Sequence, residues 1–70
     1  MEFPTTLIKQ CEQIVEDEFD WMNDVEFTIQ YKEFRLRRFL AWKLSEDYLN
    51  PAAKFIFQYL INQKLEQLGL

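Results

Sequence analysis

Apolar positions along the chain recur mostly at helical spacing. Leu7, Ile8, Cys11, Ile14, Val15, Phe19 and Met22 follow one another at steps of three and four and fall within about 140° of a helix circumference. Gln13, Glu16, Asp17 and Asp20 occupy the opposite side. Thr5 or Thr6 supplies a hydroxyl that can cap such a helix. One residue interrupts the pattern: Glu18 falls near the middle of the apolar stripe. A carboxylate placed there needs a cation or a donor. Arg35, Arg37 and Arg38 are the candidates, so an ion pair between Glu18 and one of them is expected.

Beyond Asn23-Asp24, which end this helix or cap the next, the period changes. Val25, Phe27, Ile29 and Tyr31 alternate with Glu26, Thr28 and Gln30, the two-residue period of a strand. The run leads without a breaker into a helix-forming stretch, residues 32–44, so residues 25–31 are either a short strand or a helical entry. Within the stretch Leu36, Phe39 and Leu40 share one face, with Phe34 and Ala41 opposite. Arg35, Arg38 and Trp42 make a third stripe at i, i+3 and i+7. After the connection Ser45-Glu46-Asp47-Tyr48-Leu49, Asn50 and Pro51 mark the start of a third helix and Gly69 its end. Ala52, Ile56, Tyr59 and Leu60 share a face there. Phe57, Ile61 and Leu68 extend it, and Phe55 flanks it. Only a strip through Gln58 and Asn62 is polar, so this helix must be covered on several sides.

These patterns predict one all-α domain over residues 1–70. It is a small bundle of three helices near 6–23, 30–46 and 51–67, with a short strand at 25–31 as the open variant. Phe55, Phe57, Tyr59, Leu60 and Ile61 are expected to form core or a dimer interface, at helical spacing that suits packing better than a cofactor wall.

Size favours the dimer. A chain of about 60 residues buries only about 60% of the surface its unfolded form exposes. The single Cys and the absence of His leave no internal disulfide and no zinc site as reinforcement. A homodimer through the third helix and part of the second is therefore expected. Aromatic residues, 17% of the chain with seven Phe, supply the surface for it. No apolar run approaches the length of a membrane span. The start Met1-Glu2-Phe3-Pro4 shows no basic-then-apolar signal, so a cytoplasmic location is expected.

The net charge of −4 is unevenly spread. Residues 1–26 carry eight acids and one Lys, residues 27–44 five basic residues and one Glu, and the remainder three acids and two Lys. Overall acidity argues against general nucleic-acid binding, which depends on neutralising phosphates. Catalytic equipment is scarce. There is no His for acid–base work, the only Ser (Ser45) has no His to activate it, and the only Gly is next to the last residue, so no phosphate-cradling loop can form. No enzyme activity and no cofactor or metal are expected. Cys11 lies within the apolar stripe and reads as a small buried side chain. Glu16, Asp17, Asp20 and Asp24 lack the defined loop that a hard cation needs and read as a solvated acidic face. Arg35, Arg37, Arg38 and Trp42, with Phe34, remain as the candidate partner-binding group. Internal pairing with the first helix, a protein partner and nucleic acid are its three readings, and Arg and Trp are residue types enriched at interface hot spots.

One part of the chain resembles a known family. Thr28 followed by Glu33-Phe34-Arg35-Leu36-Arg37-Arg38-Phe39 resembles the first helix of the small NblA proteins of cyanobacteria and red algae, with its capping Thr and a Glu-Phe-x-Leu-Arg-x-Phe-like run. Ala52, Phe55, Ile56, Tyr59 and Leu60 are similar to the Ala-x-x-Phe-Leu-x-x-Leu-Tyr-like pattern of that family's second helix. The likeness spans roughly residues 27–63. An extra residue lies between Thr28 and Glu33, and another before Ala52. Pro51 departs from the family's pattern, the acidic first helix has no counterpart in the family, and the family's C-terminal Leu and Trp are missing here. The resemblance implies a helical hairpin that dimerises into four helices. It also implies a non-catalytic adaptor that binds phycobiliproteins and delivers the light-harvesting antenna to a protease chaperone. Glu33, Phe34, Leu36, Arg37, Phe39, Phe55, Tyr59 and Leu60 are the positions it carries over, most of them for packing.

The expected function is thus a small protein-interaction module, an adaptor or inhibitor that docks on a larger assembly. A nucleic-acid-associated regulator using the basic second helix and a structural subunit of a larger complex are the alternatives.

Overall fold

The first helix, α1, spans Thr5–Glu18, one residue after Pro4. In the computed structural model, which describes residues 4–47 and 49–70, Pro4 holds the extended φ/ψ of a cap (−58°, 133°), and its carbonyl accepts from the Ile8 amide at 3.1 Å. The expected cap at Thr5 or Thr6 is not made. A capping residue must keep non-helical dihedrals, and both threonines are already inside the helix. Met1-Glu2-Phe3 and Tyr48 of the second connection lie outside the described residues.

The apolar run had suggested a first helix reaching residue 23. Instead α1 stops at Glu18, and Phe19 (φ −120°, ψ 26°) turns the chain into a 3-10 turn, Asp20–Asn23. Two interactions account for the break. Phe19 is buried edge-on against Phe39, with centroids 5.2 Å apart. The Trp21 indole N–H donates to the Glu18 carbonyl at 2.8 Å, taking one of the acceptors a helix end leaves free.

No strand forms among the described residues, so residues 25–31 are not the short strand that their alternation allowed. Asp24 accepts from the Glu26 amide at 2.9 Å and Thr28 from the Tyr31 amide at 3.1 Å. These side-chain caps close a turn and then open α2, Ile29–Ser45. Val25 is 95% exposed, so the alternation never defined a buried face.

The third helix, α3, spans Pro51–Gln67, as its end signals predict. Asn50 accepts from the Ala52 amide at 2.8 Å, and Pro51 takes the first helical position. Gly69 adopts φ +84°, its amide bonding to the Glu66 carbonyl and the Leu70 amide to that of Leu65. This pair of bonds is a Schellman closure, which requires the left-handed backbone that glycine adopts without strain.

Helix α3 is the centre of the three-helix fold and packs against both α1 and α2. Its buried residues are Ala53, Ile56, Phe57, Ile61 and Leu65. They meet Cys11, Val15 and Phe19 from the first segment and Leu36 and Phe39 from α2. The sequence pattern had centred the face on Ala52, Ile56, Tyr59 and Leu60. The core face is turned from that by about 100°, one residue step, so Phe57 and Ile61 sit at its middle and Tyr59 outside. The cause is two-sided coverage: α3 must present one continuous apolar surface to α1 and α2 together. No described helix is long and apolar enough to cross a membrane.

Ile61 has no exposed surface and Phe57 is 1% exposed. Ile61→Ala should cost about 2–5 kcal/mol, whereas Asn50→Ala should cost about 1 kcal/mol through the lost cap. Urea melts followed by circular dichroism would check both, and equal costs would contradict the central place of α3.

Candidate partner-binding face

The ten side chains proposed from sequence for contact or core separate into three groups. Phe57 and Ile61 are core, and Leu60 is half-buried against it. Phe55 and Tyr59 project to solvent at 65% and 62% exposure. The other five, Phe34, Arg35, Arg37, Arg38 and Trp42, all lie on α2 but do not act together.

Arg35 is engaged inside the fold. Its guanidinium donates to the Tyr31 hydroxyl at 3.0 Å and stands 3.8 Å from a Glu18 carboxylate oxygen. The same group lies over the Trp21 ring at 5.1 Å and the Tyr31 ring at 5.9 Å. The expected Glu18 ion pair therefore exists, with Arg35 as its cation. Glu18 itself is not in the core, as its side chain is 47% exposed. The buried Cys11, Val15 and Phe19 centre on Val15, which sets Glu18 about 60° away, at the rim beside half-exposed Ile14. An exposed pair of this kind contributes at most about 1 kcal/mol.

Sequence reading missed the cluster that holds Arg35. Trp21, Phe27 and Tyr31 pack together, with Phe27 stacked on Tyr31 at 5.2 Å and 15° and Trp21 edge-on to Phe27 at 5.1 Å. This cluster ties the turn after α1 to the first turns of α2. The spacing of Phe27, Tyr31 and Arg35 at steps of four carries the signal, which the strand-like alternation of the same residues obscured.

Arg37 is also matched. Two of its nitrogens approach one oxygen of Glu33 at 2.9 Å, one turn earlier on the helix. Lys43 pairs with Glu46 at 3.8 Å, and both side chains are largely covered. Its ammonium lies 4.3 Å from the Trp42 ring centroid and 5.6 Å from those of Phe39 and Phe57. Lys32 is buried along its stem.

Arg38 differs. No carboxylate among the described residues lies within ion-pair distance of it, and its guanidinium sits 6.0 Å over the Phe34 ring. With Phe34 at i−4 and Trp42 at i+4, it forms an exposed aromatic–cation–aromatic stripe. Phe34 is 55% and Trp42 56% exposed. The stripe read from sequence, Arg35–Arg38–Trp42, thus becomes Phe34–Arg38–Trp42, because Arg35 turns toward Trp21.

An apolar hollow, about 310 Å³, opens between α1 and α3. Ile8, Phe55, Ile56, Tyr59 and Leu60 line it, with Glu12 at its edge. Cys11 is 2% exposed, and burial pushes its thiol up from the usual range, partly offset by the Lys43 charge. Among the described residues no three His, Cys, Asp or Glu side chains gather as metal ligands would.

No protein-family model matches the chain, and no curated protein or solved structure matches it.

Because the folded thiol is the weaker acid, folding retains its proton. Its contribution to stability is complete below about pH 8.5 and is lost as pH rises through the folded value. Chemical melts between pH 7 and 10 should therefore show a steeper loss for wild type than for Cys11→Ala. Native Cys11 should also react with a thiol reagent at least about tenfold more slowly than in urea.

Proposed function

We propose that this chain is a non-catalytic protein-interaction module of the cytoplasm, an adaptor or inhibitor that docks on a larger assembly. The observation that carries the reading is the exposure of four large aromatic side chains, Phe34, Trp42, Phe55 and Tyr59, on two separate faces of a domain with a small core. Such surface is costly in water and is commonly kept for contact. Aromatic and Arg side chains are also the types enriched in interface cores.

The two faces serve two contacts. The α1–α3 hollow with Phe55, Tyr59 and Leu60 pairs two copies of the chain, which supplies the apolar burial that a fold of this size lacks. The α2 face meets the partner. The NblA-like positions in α2 and α3 fall on one helical hairpin and would make that partner a phycobiliprotein or a protease chaperone. The nucleic-acid reading is the weaker, because Arg35 and Arg37 are already matched by Glu18 and Glu33.

Equilibrium sedimentation should give twice the mass of the single chain for wild type and a monomer for Phe55→Ser/Tyr59→Ser. Affinity capture at moderate salt should recover a defined assembly with wild type and lose it with Phe34→Ala/Trp42→Ala, the helical content of both being unchanged. Antenna proteins among the recovered species would support the NblA-like reading. A different assembly would remove it. Identical capture by wild type and both double variants would defeat the docking reading altogether.

A further inference from the structure

We propose that the stripe Phe34–Arg38–Trp42 docks an amphipathic helix of a partner protein through one Asp or Glu set between two apolar side chains. The proposal rests on the docking reading and specifies the chemistry of its partner.

Charge complementarity selects the partner. Helix α2 carries three guanidiniums, and the structure matches Arg35 with Glu18 on one side and Arg37 with Glu33 on the other. Arg38 remains without a carboxylate among the described residues, at the centre of the exposed stripe. One exposed guanidinium suits one carboxylate. It does not suit a polyanion, whose affinity grows with each phosphate neutralised.

Geometry sets the spacing. Phe34 and Trp42 are eight residues apart on α2, about 12 Å along its axis, with Arg38 midway. A partner helix packed along α2 would place apolar residues at the same interval, seven or eight positions apart, with the acid three or four from each. Open hollows flank Arg38 on both sides. One of about 550 Å³ lies between Arg35, Arg38 and Trp42 with Glu18 on its wall, and one of about 470 Å³ between Phe34, Arg37 and Arg38 with Glu33 on its wall, each acid already held by its own Arg. These give room for side chains on either side of the carboxylate. Orientation is helped by the rest of the fold: the exposed Glu16 and Asp17 of α1 and Asp20 of the turn after it repel the same segment, so it is directed to α2.

The test uses the full chain and a display library of 16-residue peptides, helix-favouring at fixed positions and random elsewhere. Panning on wild type should enrich peptides with an acid flanked at three or four residues by Leu, Ile, Phe or Met. Arg38→Glu should weaken the best peptide about tenfold or more, and changing the peptide's acid to Lys should restore binding to Arg38→Glu. Phe34→Ala and Trp42→Ala should each weaken it comparably, with melting temperature and helical content kept as in wild type. Several results would overturn the proposal. Enriched peptides that are indifferent to Arg38→Glu but lost in Phe55→Ser/Tyr59→Ser would do so, keeping a protein-interaction module but moving its partner contact to the α1–α3 hollow. So would tight binding of a single-stranded oligonucleotide that depends on Arg38, or self-association that Arg38→Glu abolishes. No enrichment at either face would sink both readings.

Discussion

Everything in this fold depends on how a largely apolar third helix is covered by only two neighbours. Each neighbour shields an apolar stripe roughly 100° wide, so two of them leave a sector of the circumference open. Ala53, Phe57, Ile61 and Leu65 take the covered side, and Phe55 and Tyr59 are left on the uncovered one. The residues are of similar chemistry, and position alone decides their exposure. The outward aromatics follow from chain length as much as from composition.

The charges follow a comparable logic of local satisfaction. Acids concentrate in the first third of the chain and bases in the second, yet only one contact, Glu18 with Arg35, joins the two segments as an ion pair among the described residues. Arg37 and Lys43 find acids on their own helix or just beyond it. The segregation read from sequence therefore does not hold α1 to α2. Apolar packing on α3 does that, assisted by the edge-to-face contact of Phe19 with Phe39. The electrostatics instead divide the surface into an acidic side and a side where, among the described residues, one guanidinium has no carboxylate partner.

Legibility in the sequence varied with how local the deciding interaction was. The ends of α3 could be read because Asn50, Pro51 and Gly69 act on backbone groups within a few residues. The stripe of α1 was legible for the same reason, although its centre was placed too close to Glu18. The break at Phe19 was not legible, since it depends on Phe39, twenty positions on, and on the Trp21 indole. The strand-like alternation of 25–31 misled because Asp24 and Thr28 impose turn and cap geometry that overrides period. For the candidate site, Phe34, Arg38 and Trp42 were named from sequence, but their separation from Arg35 was not. That required knowing that Trp21, Phe27 and Tyr31 would gather around it.

The order of packing also has a kinetic side. Helices α1 and α2 pack principally on α3 and little on each other, so the first two-thirds of the chain have few tertiary contacts of their own. Those that link α1 to α3 join residues distant in sequence, and closing such a loop precedes any reward from burial. During synthesis from the first residue onward, the earlier helices must wait with their apolar faces open until α3 emerges. The chain then folds as one cooperative unit, and any event that delays or removes the last turns of α3 withholds structure from all of it.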